Sequence, residues 1–302
     1  MRKIPFVTSA VVLASALSIA TAFATPPTGD LKFEDYSRAQ LMESASIPIL
    51  GGTTLVRGSY TIAPGGETGW HSLPGPMVLA VNKGKLGLHG GEGCATKDYA
   101  AGQAAVVPAG VYMVHNDGSD PLEFFGAFFG QPQGATKPLA EGPTTDAPAG
   151  CTEVKAAGDS PSGVSVPTSA AGLFVGSYYS HGATLEIKAG EDIFATRYDA
   201  APGWSSGWFA HYQAVNVMEG GELTYVEAKD GKCDESEKYK APDSFYHPRH
   251  RHIAANYGNE HVYITTIYFG LPHGSGLPGP AGNQLTAADF SQMPPADCPR
   301  LR

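Results

Sequence analysis

The sequence is poor in charge, in basic side chains and in cysteine. Only 16% of its 302 residues are Asp, Glu, Lys or Arg, against 42% hydrophobic, so there is apolar material for a core and no disordered-tail composition. Lys and Arg number 20 against 29 Asp and Glu, a formal net charge of -9. Nucleic acid and anionic membranes are bound by basic surfaces, so neither is expected as a partner. Past residue 24 no apolar run approaches the ~18 residues needed to cross a membrane. Abundance lies elsewhere, in 38 glycines and 24 prolines. Both weaken helix interiors, which favours short strands joined by tight turns, in one large or two ordinary domains.

The amino terminus reads as an address. Met1-Arg2-Lys3 precedes an uncharged stretch from Ile4 to Phe23, and Ala22-Phe23-Ala24 offers the small-x-small pattern of a cleavage site. Residues 1–24 are therefore expected to be a signal peptide, removed on export, with the mature protein in the periplasm or secreted. An uncleaved anchor is the alternative, disfavoured by Pro5 and several Ser and Thr in the stretch.

The remainder repeats itself. Leu55–Gly65 echoes Ile193–Gly203, both ending Ala-Pro-Gly and leading to Gly69-Trp70 and Gly207-Trp208. Gly84-Lys-Leu86 matches Gly221-Glu-Leu223, Pro108 and Asn116 match Pro248 and Asn256, and Phe128–Pro132 matches Tyr268–Pro272. The offset stays between 137 and 140 throughout, the mark of a tandem duplication. The division expected is an N-terminal domain over 25–150 and, over 151–302, a connector followed by a C-terminal domain. Apolar and alternating runs such as Val78–Val81, Ala104–Val107, Leu122–Phe125 and Ile264–Phe269 read as strands. A short helix is expected over Phe33–Glu43, outside the repeat, and another after Thr286-x-x-Asp289. Residues 131–172, rich in Pro, Gly, Ala, Ser and Thr, read as an extended connector.

The cysteines follow the repeat. Cys94 and Cys233 lie 139 residues apart on equivalent excursions, and Cys151 and Cys298 each follow the last strand of a copy. Four cysteines allow three pairings; duplication favours Cys94–Cys151 and Cys233–Cys298, and export permits them. Metal ligation by these thiols is the alternative, without any C-x-x-C spacing to support it.

The spacing of Gly, His, Pro and Asn resembles the cupin pattern, G-x5-H-x-H-x3,4-E-x6-G followed by G-x5-P-x-G-x2-H-x3-N. Copy one supplies Gly65, His71, Gly84, Gly102, Pro108, Gly110 and Asn116; copy two supplies Gly203, His211, Gly220, Pro248, His252 and Asn256. The resemblance covers about residues 50–132 and 190–272. It implies an all-β bicupin: two tandem jelly-roll barrels related by internal duplication, with few short helices. It also implies a site of three His and one Glu inside each metal-bearing barrel. Copy one departs from that set, with Leu73 at the second His, Met77 at the Glu and Tyr112 or Met113 near the last His, and is expected to be metal-free. His115 reads as a loop residue.

Copy two keeps more. Phe209 replaces the first His, but His211 and His252 match the second and third, and Gln213 stands where the Glu is sought. His211, Gln213 and His252 are thus the candidate ligands for a divalent metal: Mn, Fe, Ni, Cu or Zn. His250 lies two residues from His252 and in extended chain would share its face, leaving Arg249 and Arg251 on the other. His250 and Tyr246 are candidate proton carriers; Arg249, Arg251, Tyr112 and Trp208 are candidate substrate contacts. Trp70 and Trp204 read as core or mouth residues. Gly203-Trp-Ser205-Ser-Gly207 spells a nucleophile elbow, but in a β repeat and not a strand–turn–helix, so it is set aside. Two functions remain open. One is an exported bicupin binding a small anionic or aromatic molecule in the C-terminal barrel; the other is a metal-dependent enzyme of dioxygenase, decarboxylase or isomerase type working from that barrel. Monomer and homo-oligomer are both compatible with the sequence.

Overall fold

A computed structural model describes residues 28–137, 145–148, 150–151, 162–175, 182–229, 232–249 and 251–275. Residues 1–24, expected to be a signal peptide, the segment around Thr286, His250 and Cys298 lie outside them. The first copy runs through β1 (Leu31–Leu41), β2 (Ala45–Pro48), β3 (Thr54–Glu67), β4 (His71–Leu73), β5 (Met77–Lys83), β6 (Lys85–Gly90), β7 (Ala95–Ala100), β8 (Gln103–Val107), β9 (Gly110–His115) and β10 (Leu122–Gln131). The second runs through β11 (Ser162–Phe174), β12 (Thr184–Ile187), β13 (Asp192–Ala200), β14 (Phe209–Ala210), β15 (Gln213–Gly220), β16 (Glu222–Lys229), β17 (Lys232–Lys240), β18 (Asp243–His247), β19 (Arg251–Ala255) and β20 (Val262–Leu271). No α-helix occurs among the described residues; the one helical element is the 3-10 turn Glu92–Cys94.

The copies have the same wiring. β4-β9-β6-β7 form one sheet of the first barrel, and β14-β19-β16-β17 the corresponding sheet of the second. The other sheets, β3-β10-β5-β8 and β13-β20-β15-β18, are joined by exchange. β1 leaves its own copy to pair antiparallel with β13, and β11 pairs in the same way with β3. Each also runs parallel to a strand of its own copy, β8 and β18. A closed ring of hydrogen-bonded strands therefore passes through both barrels. β2 and β12 pair with each other, Ile47 opposite Leu185.

This arrangement gives three cores. One fills each barrel, and a third lies between them, built from both copies by residues such as Ile47, Val78, Phe125, Leu185, Val215 and Ile267. Strands buried on both faces explain the unbroken apolar run Met77–Val81: Val78 and Ala80 face the shared core, Leu79 and Val81 the first barrel. The repeated glycines and asparagines have matching structural duties. Gly84 and Gly221 turn with φ of 79° and 70°, and a Cβ there would meet the carbonyl oxygens of Pro121 at 3.0 Å and His261 at 2.5 Å. Asn116 accepts from the Gly118 N–H at 2.9 Å and donates to the Ile62 and Asp120 carbonyls; Asn256 does the same with Gly258, Ala200 and Glu260.

Two expectations need correction. Residues 33–43 are not a helix outside the repeat: Leu31–Leu41 is β1, the counterpart of β11. Its polar sequence fits a half-exposed strand whose hydrogen-bonding partner belongs to the other copy. The latter part of the 131–172 connector is likewise the strand β11, which accommodates Pro167 where its register against β3 shifts between Ser165 and Thr168. Cys94 and Cys151 form a disulfide, their Cα atoms 5.2 Å apart, stapling the connector beside Trp70 and Met113. Cys233 lies in β17, and its pairing with Cys298 falls outside the described residues.

Candidate metal centre

The register of the strands decides which residues face the interior of the second barrel. On β15, Ala214, Asn216 and Met218 point inward, while Val215 and Val217 enter the shared core. On β18, Phe245 and His247 point inward and Tyr246 outward. β19 brings His252 opposite Phe209 of β14, and His211 follows β14 directly. Three imidazoles thus converge, from β18, from β19 and from the residue after β14. His211, His247 and His252 are 3%, 0% and 0% exposed, and one ring nitrogen from each lies within 4.8 Å of the others. The ring centroids of His252 stand 4.8 Å from His211 and 4.9 Å from His247.

The surroundings fix these rings. The Nδ1 of His211 bonds the Tyr212 carbonyl oxygen, which only accepts, so Nδ1 carries the proton and Nε2 carries the lone pair. Tyr225 packs 4.3 Å from His247 and 4.9 Å from His252, and Phe209 lies 4.6 Å from His252. A carboxylate oxygen of Glu237, which accepts from the Tyr239 hydroxyl, comes within 3.9 Å of the His247 Nε2. Beside His211 lies a cavity of about 30 Å3 with Trp204, Asn216, Tyr198 and Tyr268 in its wall, room for one or two waters or ligand atoms. Burial pushes the phenols of Tyr198, Tyr225 and Tyr268 well above their ordinary value, so all are neutral hydrogen-bond donors. The Thr266 hydroxyl donates to the Asn216 Oδ1 at 2.8 Å, but the Asn216 Nδ2 and the Trp204 Nε1 are buried without a hydrogen-bond partner.

The sequence-derived candidates are dispersed differently. His211 and His252 come together as described. The third imidazole is His247, which the sequence reading did not single out; His250, read as a proton carrier, lies outside the described residues. Pro248 ends β18, so the chain turns before β19 and the neighbour of His252 comes from across the barrel. The signal was present: Pro248 matches Pro108 at an offset of 140, which pairs His247 with Val107 at the barrel's inner face. Gln213 is away from the cluster; its amide donates to the Glu186 carbonyl at 3.0 Å and accepts from the Tyr246 hydroxyl at 2.9 Å. The inward residue near the motif's Glu is Asn216. Tyr246 belongs to the shared core. Trp208 packs with Val226, Ile253 and Ala255, on the opposite face of the sheet from the cavity. The exposed Arg249 stacks its guanidinium over Tyr212 at 5.5 Å, and the backbone of Arg251 pairs with Ala210. Tyr112 lies in the first barrel, at the place of His252.

The donor set suits a metal. Three imidazole nitrogens, without thiolate, match Fe, Ni, Cu or Zn better than Mn, which favours oxygen donors. The register-matched residues of the first barrel are Leu73, Val107 and Tyr112, which offer no such set. His71, equivalent to Phe209, is tied through Nε2 to the Thr68 carbonyl at 2.7 Å.

No family model matches this sequence, and no curated protein matches it. Solved structures that align with it include Bacillus subtilis oxalate decarboxylase described with Mn(II) centres, at 14% identity and a TM-score of 0.33. Another describes the substrate binding mode and reaction specificity of oxalate decarboxylase, at 14% identity and 0.34. Each alignment covers 83% of this chain and 80% of the other. Scores of this size carry no weight for the site. The duplicated two-barrel β architecture rests on the strand order itself.

Proposed function

We propose that this protein is an exported bicupin whose C-terminal barrel holds a divalent transition metal on His211, His247 and His252 and binds a small oxygen-bearing anion beside it. One observation carries the reading: three fully buried imidazoles meet where the sister barrel has Leu73, Val107 and Tyr112. A metal there would act as a Lewis acid toward a ligand oxygen. The chain's own groups supply the rest. Asn216 and Trp204 bring unused N–H donors to the cavity wall, and the neutral phenols of Tyr198 and Tyr268, hydrogen-bonded to each other at 3.1 Å, leave one O–H between them for a ligand oxygen. Phe209, Tyr225 and Leu223 exclude water around them.

Elemental analysis of the purified mature protein tests this. About one metal per chain is expected, lost in His247→Ala and His252→Ala. A parent free of stoichiometric metal after growth and refolding with each of the candidate ions ends the proposal. A metalloenzyme is the second reading, favoured by the small number of protein ligands: three imidazoles leave coordination positions for substrate, as catalytic sites do. Its discriminating measurement is turnover of small organic acids that disappears with the metal and returns on adding it back.

A further inference from the structure

The residues around the imidazole cluster have register-matched counterparts in the first barrel, and there the chemistry is inverted. Leu88 pairs with Lys97 as Tyr225 pairs with Glu237, so Lys97 holds the place of the carboxylate near His247. Val107 holds the place of His247 and Tyr112 that of His252, while Tyr99 matches Tyr239. The end that gathers three imidazoles in the second barrel is here an apolar floor with an ammonium at its rim.

A cavity of about 180 Å3 lies between the β6–β7 hairpin and β8, with Leu88, Val107, Tyr99, Tyr112 and Lys97 in its wall. An apolar cavity of ~150 Å3 is enough to admit benzene, so this one has room for a single ring and a small substituent. The ring of Tyr112 is held in place by missing side chains: a Cβ at Gly90 or Gly110 would come within 2.7 or 2.9 Å of it. Burial raises the phenols of Tyr99 and Tyr112 against the pull of Lys97, leaving both as neutral donors. The Lys97 ammonium bonds Glu43 at 3.0 and 3.3 Å, but the two side chains are 53% and 62% exposed. Such a pair contributes little, and an ammonium has three donors, so Lys97 can accept a second carboxylate.

We propose that the N-terminal barrel binds a single-ring aromatic carboxylate, its ring on Leu88 and Val107 and its carboxylate on Lys97 and a tyrosine hydroxyl. This second site is independent of the metal reading. Calorimetric titration of the full mature protein with benzoate tests it, in the presence and absence of EDTA. Saturable 1:1 binding is expected, unchanged by EDTA and by His252→Ala. Lys97→Met should weaken it about tenfold, as should replacing benzoate by neutral benzyl alcohol, and Val107→Phe should abolish it by filling the floor. Lys97 is exposed, so its variant tests the site even where Val107→Phe folds poorly. No saturable binding in the millimolar range, equal affinity in Lys97→Met, or loss of binding with His252→Ala or EDTA would each overturn the proposal.

Discussion

Val107 and His247 end the same strand of their respective barrels, Val107 opposite Met77 and His247 opposite Ala214, each one residue before a proline. The duplication thus contains its own control. His247→Val installs the sister residue at a position whose neighbours, Phe245 and Tyr225, are already apolar or aromatic. Metal affinity should fall by at least about tenfold, while the metal-free protein keeps its stability to within ~1.5 kcal/mol. Chelator competition and calorimetric unfolding of the apo form check the two halves.

Most of the architecture was legible because duplication writes the same turns twice. The pairs Gly84 and Gly221, Pro108 and Pro248, and Asn116 and Asn256 each perform one backbone duty in two places. β1 and β11 were hidden because their pairing is not local. β1 carries Lys, Glu and Asp over a largely exposed first half, a pattern equally suited to a helix, and its bonds to β13 of the other copy make that half a strand. β11 is small and polar enough to pass for a linker. At the site, His211 and His252 were accessible from spacing, while His247 fills no position of the spacing pattern and comes to the cluster only through the pairing of β18 with β15.

Phe209 occupies the first motif position, its ring 4.6 Å from His252 and 5.6 Å from His211. Phe209→His should bring a fourth imidazole within reach of the other three. Under the metal reading, retention against a chelator should improve at least about tenfold. A variant that folds and retains metal no better would place the ion away from the Phe209 side of the cluster.

Among the described residues, reduction acts on the bridge that pins the connector. The Cys94–Cys151 bridge closes a loop of sequence separation 57, and in the chain-entropy description such a cross-link stabilises by about 4 kcal/mol. Cys151→Ala also opens a small gap beside Trp70 and Met113. The unfolding midpoint should drop by several degrees in Cys151→Ala, and reductant should then have less effect on it than on the parent. Metal content should not change, because the bridge belongs to the first barrel.

Glu219 ties the copies together and makes their union sensitive to acid. It bonds Arg57 of the first copy, which is 1% exposed, together with Arg197 and Thr265 of the second. Burial alone would raise its carboxyl, but Arg57 and the bonds from Thr265 and Arg197 outweigh that and hold it below the ordinary glutamate value. A depressed folded-state value means the stabilisation is complete above the unfolded value, about 4.3, and fades as pH falls through the lower folded value. Glu219→Gln leaves the Arg57 guanidinium buried without its counter-charge, which should cost about 3–5 kcal/mol near neutral pH. The same variant should lose less stability on acidification than the parent. Denaturant unfolding at pH 7 and in the acid limb measures both. A variant as stable as the parent at pH 7, with an unaltered acid limb, would mean that Arg57 and Glu219 do not hold the barrels together.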